Sequence, residues 1–124
     1  MEAPLSPLTL AFVGDVVYEL LAREHIVAQG NCPVKKLNAK KVELVCCQAQ
    51  AKALRQLWPQ LTEAERATAL RGRNAHVGHV PKNATVEDYH SATALEALFG
   101  WLHLQGESAR LRQLFAWIIG EDTP

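Results

Sequence analysis

The chain has 124 residues, 48% of them hydrophobic, and its 13 basic side chains balance 13 acidic ones. This length predicts a single domain, residues 1–124. Three cysteines without metal-ligand spacing exclude a disulfide framework and predict a reducing, cytoplasmic setting. We expect no membrane association, because no apolar run approaches the roughly eighteen residues of a membrane span and the N-terminus lacks a secretion-signal pattern.

The neutral net charge hides an uneven distribution. Residues 32–82 contain ten Lys or Arg residues but three acids, so the remainder of the chain is acidic. A neutral chain with a basic middle can still present a phosphate-binding face. A polyanionic partner is therefore not excluded.

Apolar residues recur at helical spacing along the chain and no alternating strand pattern occurs, which predicts an all-α fold of about five or more helices. The first helix is expected to start at an N-cap, Ser6 or Thr9, and to end near Gly30. Residues 34–58 form one long helix or two, and Pro59 ends this segment.

The second half of the chain contains three more predicted helices. One begins at a cap on Thr62 and ends near Arg71 or Arg73. Residues 74–85 form a loop, because they show little apolar periodicity and contain Gly and Pro breaks. Two helices follow, over about 86–105 and 107–119.

Two helical segments each contain one acid where the pattern calls for an apolar residue. Asp15 lies in residues 10–21 (LAFVGDVVYELL), among Phe12 and Val16, and Glu96 lies in residues 91–100 (SATALEALFG). A buried carboxylate is costly unless a positive group compensates it. Both acids are therefore expected to meet in the core, where Mg²⁺, a cation that prefers oxygen ligands, would balance them.

Plainer interpretations of these acids stay open. Asp15 and Glu96 could each cap a neighbouring helix or pair with a buried Arg. Glu19 lies one turn after Asp15 and could add an outer contact to a metal site, although an ion pair with Arg23 four residues later is the simpler account.

The basic segment supplies candidate phosphate contacts. Residues 71–83 contain no acid and include Arg, Gly and Asn, which suit phosphate and sugar contacts. The candidate phosphate- and sugar-binding residues are Arg71, Arg73, Asn74, Lys82 and Asn83, with Lys40 and Lys41 as accessory candidates. Few aromatic residues interleave with these charges, which favours contacts to a duplex backbone over base stacking.

Other side chains give weaker signals. His76 and His79 could ligate a transition metal, but they have no third ligand nearby. Cys46 and Cys47 have no matched histidine, so nucleophilic catalysis is not expected. No P-loop, dinucleotide fingerprint or serine elbow is present.

In these motifs the chain resembles the Mini-ribonuclease III family, which consists of a ribonuclease III catalytic domain without its double-stranded-RNA-binding domain. Residues 10–19 (LAFVGDVVYE) resemble the signature of its first helix, in which the Asp is a metal-binding acid. Residues 70–75 (LRGRNA) with 81–83 (PKN) resemble its RNA-facing loop. Tyr89 and residues 91–100 resemble its second acidic helix, in which Glu96 matches the catalytic glutamate.

The resemblance implies a ribonuclease III-like homodimer that cleaves double-stranded RNA with Mg²⁺ and leaves 5′-phosphate and 3′-hydroxyl ends. It also implies a role in maturing the large-subunit (23S) ribosomal RNA precursor. Asp15 and Glu96 would be the catalytic and metal-binding residues. The apolar faces of the first helix and of the helix over 86–105 are also more than one small domain is expected to hide, which favours a dimer.

One departure separates the chain from full-length ribonuclease III. That pattern has a Glu four residues before the Asp and an Asp three residues before the Glu, and this chain has Ala11 and Thr93 there. Four candidate metal ligands are reduced to two, and the sequence does not show what replaces the missing acids. The Mini-ribonuclease III pattern shares this reduction, so we still expect an enzyme.

Two other functions stay open on the sequence alone. A non-catalytic helical module that binds RNA or assists ribosome assembly would keep the basic face and treat Asp15 and Glu96 as remnants. A metal-dependent phosphohydrolase of small nucleotides is less supported, because no His–Asp pair or nucleotide-binding Gly loop is visible.

Overall fold

The computed structural model describes residues 4–75 and 79–124. Within these ranges the chain forms six α-helices, a short 3₁₀ turn and no strand, which confirms the predicted all-α class. None of the helices in the described ranges is long and apolar enough to cross a membrane. The helices are α1 (Pro7–Ala28), α2 (Val34–Val45), α3 (Cys47–Leu57), α4 (Glu63–Arg73), α5 (Val86–Leu104) and α6 (Ser108–Ile119).

Local sequence signals set most of the helix ends. The Ser6 hydroxyl caps α1 by accepting a hydrogen bond from the Thr9 N–H at 3.2 Å. Thr62 and Glu65 form a reciprocal capping box at the start of α4, with distances of 2.9 and 3.1 Å. Gly120 ends α6 with a φ of 76°, a left-handed conformation that Gly adopts without strain.

Residues 34–58 form two helices, with a break at a single residue. Cys46 is extended, with φ −64° and ψ 157°, and it serves as the C-cap of α2 and the N-cap of α3. Its N–H donates to the Val42 carbonyl and its own carbonyl accepts from the Gln50 N–H, both at 3.0 Å. The break therefore leaves both polar backbone groups of Cys46 satisfied.

Helix α5 is the centre of the fold. Nearly every residue from Ser91 to Leu102 is buried, because α1, α3 and α4 pack around this helix and α6 packs against it as well. Tyr18 of α1 stacks on Phe99 of α5, with ring centroids 5.1 Å apart, and the Phe115 ring meets Tyr18 edge-on at 5.6 Å.

Two glycines allow α1 and α5 to cross at backbone contact. A Cβ added to Gly14 would overlap the Glu96 carbonyl oxygen, and one added to Gly100 would overlap the Leu10 carbonyl oxygen. Only residues without a side chain permit this approach. The crossing places Asp15 of α1 and Glu96 of α5 beside each other.

Candidate active site

Asp15 and Glu96 lie next to each other where α1 crosses α5. The residue before Asp15 is Gly14, which touches the backbone of Glu96, and the two carboxyl groups are close enough to share a hydrogen bond. The structure therefore brings the two predicted site residues together.

Their surroundings differ from the expected ones. Asp15 is exposed and Glu96 is partly buried, so the expectation that both acids lie inside the core is wrong for Asp15. Phe12 is 79% exposed and Val16 is 68% exposed, so they do not enclose Asp15 in apolar contacts. Helix α1 is apolar on several faces, and its inward face is the one that carries Leu10, Gly14 and Tyr18.

The electrostatics of the pair are those of two carboxylates that share a site. Burial, followed by the hydrogen bond and the negative charge of Asp15, raises the pKa of Glu96 from its ordinary 4.5 to about 8. At neutral pH, and without a bound cation, the pair consequently keeps one proton. A divalent cation would replace that proton and neutralise both charges.

Gln50 is a third residue of the site, and no sequence motif pointed to it directly. It is 3% exposed on α3, and its amide lies beside the Glu96 carboxyl as a hydrogen-bond donor that lowers the pKa of Glu96. The sequence offered one indirect signal for Gln50: it is a polar residue among the small and apolar residues of α3 that face the core. Its contact with Glu96 spans 46 positions of the sequence and depends on how α3 packs against α5.

The oxygen atoms of Asp15 and Glu96 fit a hard cation such as Mg²⁺, which proteins commonly hold with one or two carboxylates plus water and substrate phosphate. Within residues 4–75 and 79–124 no cluster of three or more His, Cys, Asp or Glu could hold a metal ion. The two positions that lack acids do not enlarge the set. Ala11 is buried against Leu10 and Ala97, and the Thr93 hydroxyl donates to the Tyr89 carbonyl at 3.0 Å.

The accessory candidates lie on a neighbouring surface. Glu19 pairs with Arg23 at 2.9 Å, as the simpler account of this residue predicts, and with Lys41 at 3.9 Å. Lys40 is half-buried. These contacts occupy the Glu19 carboxylate with cations, so the structure gives it no link to Asp15.

Cys47 lies near Glu96 but lacks the properties of a nucleophile. Burial and the negative charges of Asp88 and Glu96 raise the pKa of its thiol. A raised pKa reduces the fraction of the reactive thiolate. The thiol of Cys47 is therefore a weaker nucleophile than an ordinary cysteine thiol at neutral pH.

The predicted RNA-binding side chains lie at the end of α4 and in the following loop. Arg71, Arg73, Asn74, Lys82 and Asn83 are all exposed. The Arg71 guanidinium donates to the Leu5 carbonyl at 3.4 Å, and the Asn83 carbonyl accepts from the Gln48 amide at 2.8 Å, which joins the loop to the start of α3. Of the predicted histidine pair, His79 is exposed and His76 lies outside the described residues.

The all-helical domain brings two carboxylates together where α1 crosses α5, and their oxygen atoms are of the kind that a hard cation binds. Comparisons with known proteins identify the class of protein. The Ribonuclease III domain family matches residues 8–107. A Mini-ribonuclease 3 from Thermoanaerobacter is 44% identical over 89% of this chain and 78% of the relative. Another from Brevibacillus brevis is 42% identical over 94% of this chain and 90% of the relative.

A crystal structure of a Fusobacterium nucleatum protein gives the same fold. It superposes with a TM-score of 0.86 at 28% identity and covers 93% of both chains. The chain belongs to the Mini-ribonuclease III family, as the resemblance of its sequence motifs predicted. It is an endoribonuclease of the ribonuclease III type, and its substrate is RNA.

Proposed function

We propose that this protein is an Mg²⁺-dependent endoribonuclease that acts as a cytoplasmic homodimer, cleaves double-stranded RNA and matures the large-subunit ribosomal RNA precursor. The observation that carries this proposal is the pair formed by Asp15 and Glu96, two carboxylates held together although their charges repel. Such an arrangement is costly in an empty site and favourable once a cation enters.

Asp15 and Glu96 would hold the metal ion. When bound, Mg²⁺ lowers the pKa of a coordinated water and neutralises charge on the phosphate that is attacked. Asp15 is exposed, so its carboxylate can meet a phosphate that arrives from solvent. Glu96 is partly buried and lies against Gln50, so its carboxylate keeps a fixed direction on the inner side of the pair.

The exposed cations of the α4–α5 region would bind the RNA. Arg71, Arg73 and Lys82 reach solvent and belong to the basic segment of the chain. Arg and Lys contacts to phosphates fix a duplex in place without selecting its sequence. Asn74 and Asn83 add exposed amide groups at the same surface.

A second copy of the chain would cover an apolar stripe on α1. Leu8, Phe12, Val16 and Leu20 follow one another at intervals of four residues, and each is between 41% and 79% exposed. Side chains at this spacing share one face of a helix. Val16 directly follows Asp15, so a dimer formed on this stripe would place the two active sites beside the interface.

Three proposed details depend on the family resemblance more than on geometry: the double-stranded form of the RNA, its ribosomal origin, and the 5′-phosphate and 3′-hydroxyl ends. The cytoplasmic setting is supported by Cys32, Cys46 and Cys47, all of which are free thiols.

An RNA cleavage assay tests the proposal. A labelled duplex RNA is incubated with the protein in Mg²⁺ or in chelator, and the products are tested for ligation, which requires 5′-phosphate and 3′-hydroxyl ends. We expect cleavage only with Mg²⁺, and we expect Asp15→Asn and Glu96→Gln each to reduce the rate at least about 100-fold while RNA binding persists. Glu19→Gln is the matched control on the same helix.

The same assay separates the proposal from a binding module that does not cut. Wild-type protein that binds duplex RNA but leaves it intact in Mg²⁺ would support the non-catalytic function. Near-normal cleavage by both Asp15→Asn and Glu96→Gln would show that the active site lies elsewhere.

A further inference from the structure

A cavity of about 350 Å³ lies between α3, α4 and α5. The buried apolar residues that line it are Leu54, Ala69 and Ala94, one from each helix. The two alanines are small, so they leave space between the helices that longer side chains would fill. The volume falls within the roughly 300–1,000 Å³ that is usual for sites that bind small ligands.

Two guanidinium groups line this cavity, Arg55 from α3 and Arg73 from α4. The Arg55 side chain is 64% exposed, and its contact with Asp88 is long, at 3.9 Å. Arg73 is exposed and, within residues 4–75 and 79–124, has no carboxylate at ion-pair distance. Because a guanidinium can donate two parallel hydrogen bonds to one phosphate, the pair forms a suitable site for a phosphate group.

Trp58 gives the cavity an aromatic side. The Arg66 guanidinium lies 5.8 Å from the centre of the Trp58 ring and donates two hydrogen bonds to the Trp58 carbonyl, at 3.0 and 3.1 Å. These contacts hold Trp58 in place before a ligand enters. Leu70, which also lines the cavity, is 41% exposed. A planar ring that entered would remove apolar surface of Trp58 and Leu70 from water.

Helix α5 adds polar groups to the same cavity. Glu87 and Ser91 lie one helical turn apart, and both side chains line it. A carboxylate can accept hydrogen bonds from the hydroxyl groups of a ribose, and the Ser hydroxyl can donate or accept. A simple anion would use the two arginines but neither Trp58 nor Glu87. The lining therefore suits a ligand that combines a phosphate, a sugar and a planar ring.

We propose that this cavity binds a free nucleoside monophosphate. Arg55 and Arg73 hold the phosphate, Trp58 contacts the base, and Glu87 accepts hydrogen bonds from the ribose. This inference goes beyond the proposed RNA cleavage, and the binding requires neither a metal ion nor the pair of acids.

The position of the cavity favours a free nucleotide over the RNA substrate. Glu96 follows Ala94 by two residues, so at about 3.6 residues per turn their side chains point to roughly opposite sides of α5. Helix α1, which carries Asp15, contacts the Glu96 side, whereas α3 and α4 enclose the cavity. A duplex is recognised mostly through its backbone and keeps its bases stacked inside, so it has no free ring to place against Trp58.

Calorimetry with AMP tests the proposal on the full-length protein. The titrations are done in chelator, so that a metal ion cannot attach the phosphate to Asp15 or Glu96. The variant is Arg55→Gln, because Arg73 also belongs to the surface proposed to bind RNA. The matched control is Lys52→Gln, since Lys52 is an exposed cation on the same helix and lies outside the cavity.

We expect Arg55→Gln to weaken AMP binding at least about tenfold, because it removes charge-assisted hydrogen bonds to the phosphate. Lys52→Gln and Glu96→Gln should bind AMP as wild type does. Adenosine lacks the phosphate and inorganic phosphate lacks the ring and the sugar, so each should bind at least about tenfold more weakly than AMP.

Four results would overturn the inference. They are no heat of binding at millimolar AMP, equal AMP affinities of wild type and Arg55→Gln, equal affinities for AMP and inorganic phosphate, and loss of AMP binding in Glu96→Gln. The third would show an unspecific anion site, and the fourth would place the nucleotide at the acids. Arg55→Gln that weakens RNA binding, in a protein that does not bind AMP, would assign the cavity to RNA instead.

A measurement on the wild-type protein covers the case in which Arg55→Gln does not fold. The indole N–H resonances of Trp58 and Trp117 are followed by NMR during the AMP titration. The Trp58 resonance should move, whereas that of Trp117, which lies outside the cavity, should stay in place. A Trp58 resonance that stays in place while AMP binds would overturn the inference.

Discussion

The backbone of Glu96 lies directly against Gly14, the residue that precedes Asp15, so a Cβ on residue 14 would overlap the Glu96 carbonyl oxygen. The contact that holds the two helices together is thus also the contact that aligns the two acids. We predict that Gly14→Ala lowers the free energy of unfolding by about 3 kcal/mol or more, because the obstacle is backbone that cannot rotate away. Urea unfolding would measure the loss.

Two other glycine variants test whether the loss of stability follows the size of the steric overlap. Gly100→Ala should be as damaging, since its Cβ would overlap the Leu10 carbonyl oxygen. A Cβ added to Gly72 would lie 2.8 Å from the Ala97 Cβ, a smaller overlap than at Gly14 or Gly100, so Gly72→Ala should cost less. Gly14→Ala protein with wild-type stability would show that the α1–α5 crossing is wider than the structure indicates.

The apolar stripe on α1 leads to a prediction about oligomeric state. We predict that Val16→Asp converts the proposed homodimer to a monomer, because a carboxylate at the centre of the stripe would lose its hydration in the interface. Sedimentation equilibrium at micromolar protein concentration would measure the change. The matched control is Val34→Asp on α2, where the Val side chain is 79% exposed and lies off the stripe.

Wild-type protein that sediments as a monomer would contradict the dimer itself. Val16→Asp protein that stays dimeric would place the interface on another surface, whatever its effect on cleavage.

Much of the fold follows from local signals in the sequence. Pairs such as Thr62 with Glu65, and glycines such as Gly120, determine helix ends through hydrogen bonds within a few residues. Their effect needs no knowledge of tertiary packing, so the helix boundaries were predictable. The two acids stood out for a similar reason, since each is a lone charge in an apolar segment.

The face that a helix turns to the core was harder to predict. Helix α1 has apolar residues on several sides, and Phe12 and Val16 are as hydrophobic as the buried Leu10. Periodicity cannot choose between such faces. The choice is made by Gly14, which only the close approach of α5 explains, and the contact of Gln50 with Glu96 depends on the same long-range packing.

The basic surface leads to a prediction about RNA affinity. Replacing Arg71, Arg73 and Lys82 with Ala should weaken duplex RNA binding and reduce the salt dependence of log Kd by about one for each phosphate that is no longer neutralised. Fluorescence anisotropy over a range of KCl concentrations would measure both effects. Arg112→Ala, an exposed position on α6, is the control and should bind as wild type does.

Normal RNA binding by the triple variant would contradict this assignment. The exposed or half-buried lysines of α2, including Lys40 and Lys41, would then be the better candidates for the RNA-binding surface.

Glu65 leads to a prediction for acidic pH. Its side chain is 5% exposed and accepts two hydrogen bonds from Arg110, each 2.8 Å long. Burial alone would raise the pKa of Glu65, but the hydrogen bonds from Arg110 and Thr62 outweigh it and lower the pKa below its ordinary 4.5. The ionised form therefore stabilises the fold above pH 4.5, and this contribution disappears as the pH falls through the lowered pKa.

We predict that Glu65→Gln costs roughly 3 kcal/mol at pH 7, because it leaves the Arg110 charge without its partner. The loss should shrink as the pH falls from 4.5 through the lowered pKa of Glu65, below which the folded wild type has also lost the charge. Unfolding at several pH values would test both statements. Glu19→Gln, which breaks the exposed pair with Arg23, should change stability by less than about 1 kcal/mol at any pH.

Glu96 should have the opposite pH dependence. Its pKa is raised from 4.5 to about 8, so between these values the folded protein holds a proton that the unfolded chain has released. Stability from this group is complete below pH 4.5 and disappears as the pH rises to about 8. In chelator, we predict that wild-type protein loses as much as roughly 4 kcal/mol over this range, and that Glu96→Gln, which cannot ionise, does not.

Mg²⁺ provides the second half of this test. A cation between Asp15 and Glu96 removes the penalty for ionising Glu96, so millimolar Mg²⁺ should restore most of the stability that wild-type protein loses at pH 8. It should have no such effect on Glu96→Gln, which is expected to be the more stable protein in chelator and the less stable one in Mg²⁺. If wild type and Glu96→Gln show the same pH dependence of stability in chelator, Glu96 ionises freely in the folded state. The repulsion between the Asp15 and Glu96 carboxylates is then too weak to favour the binding of a cation.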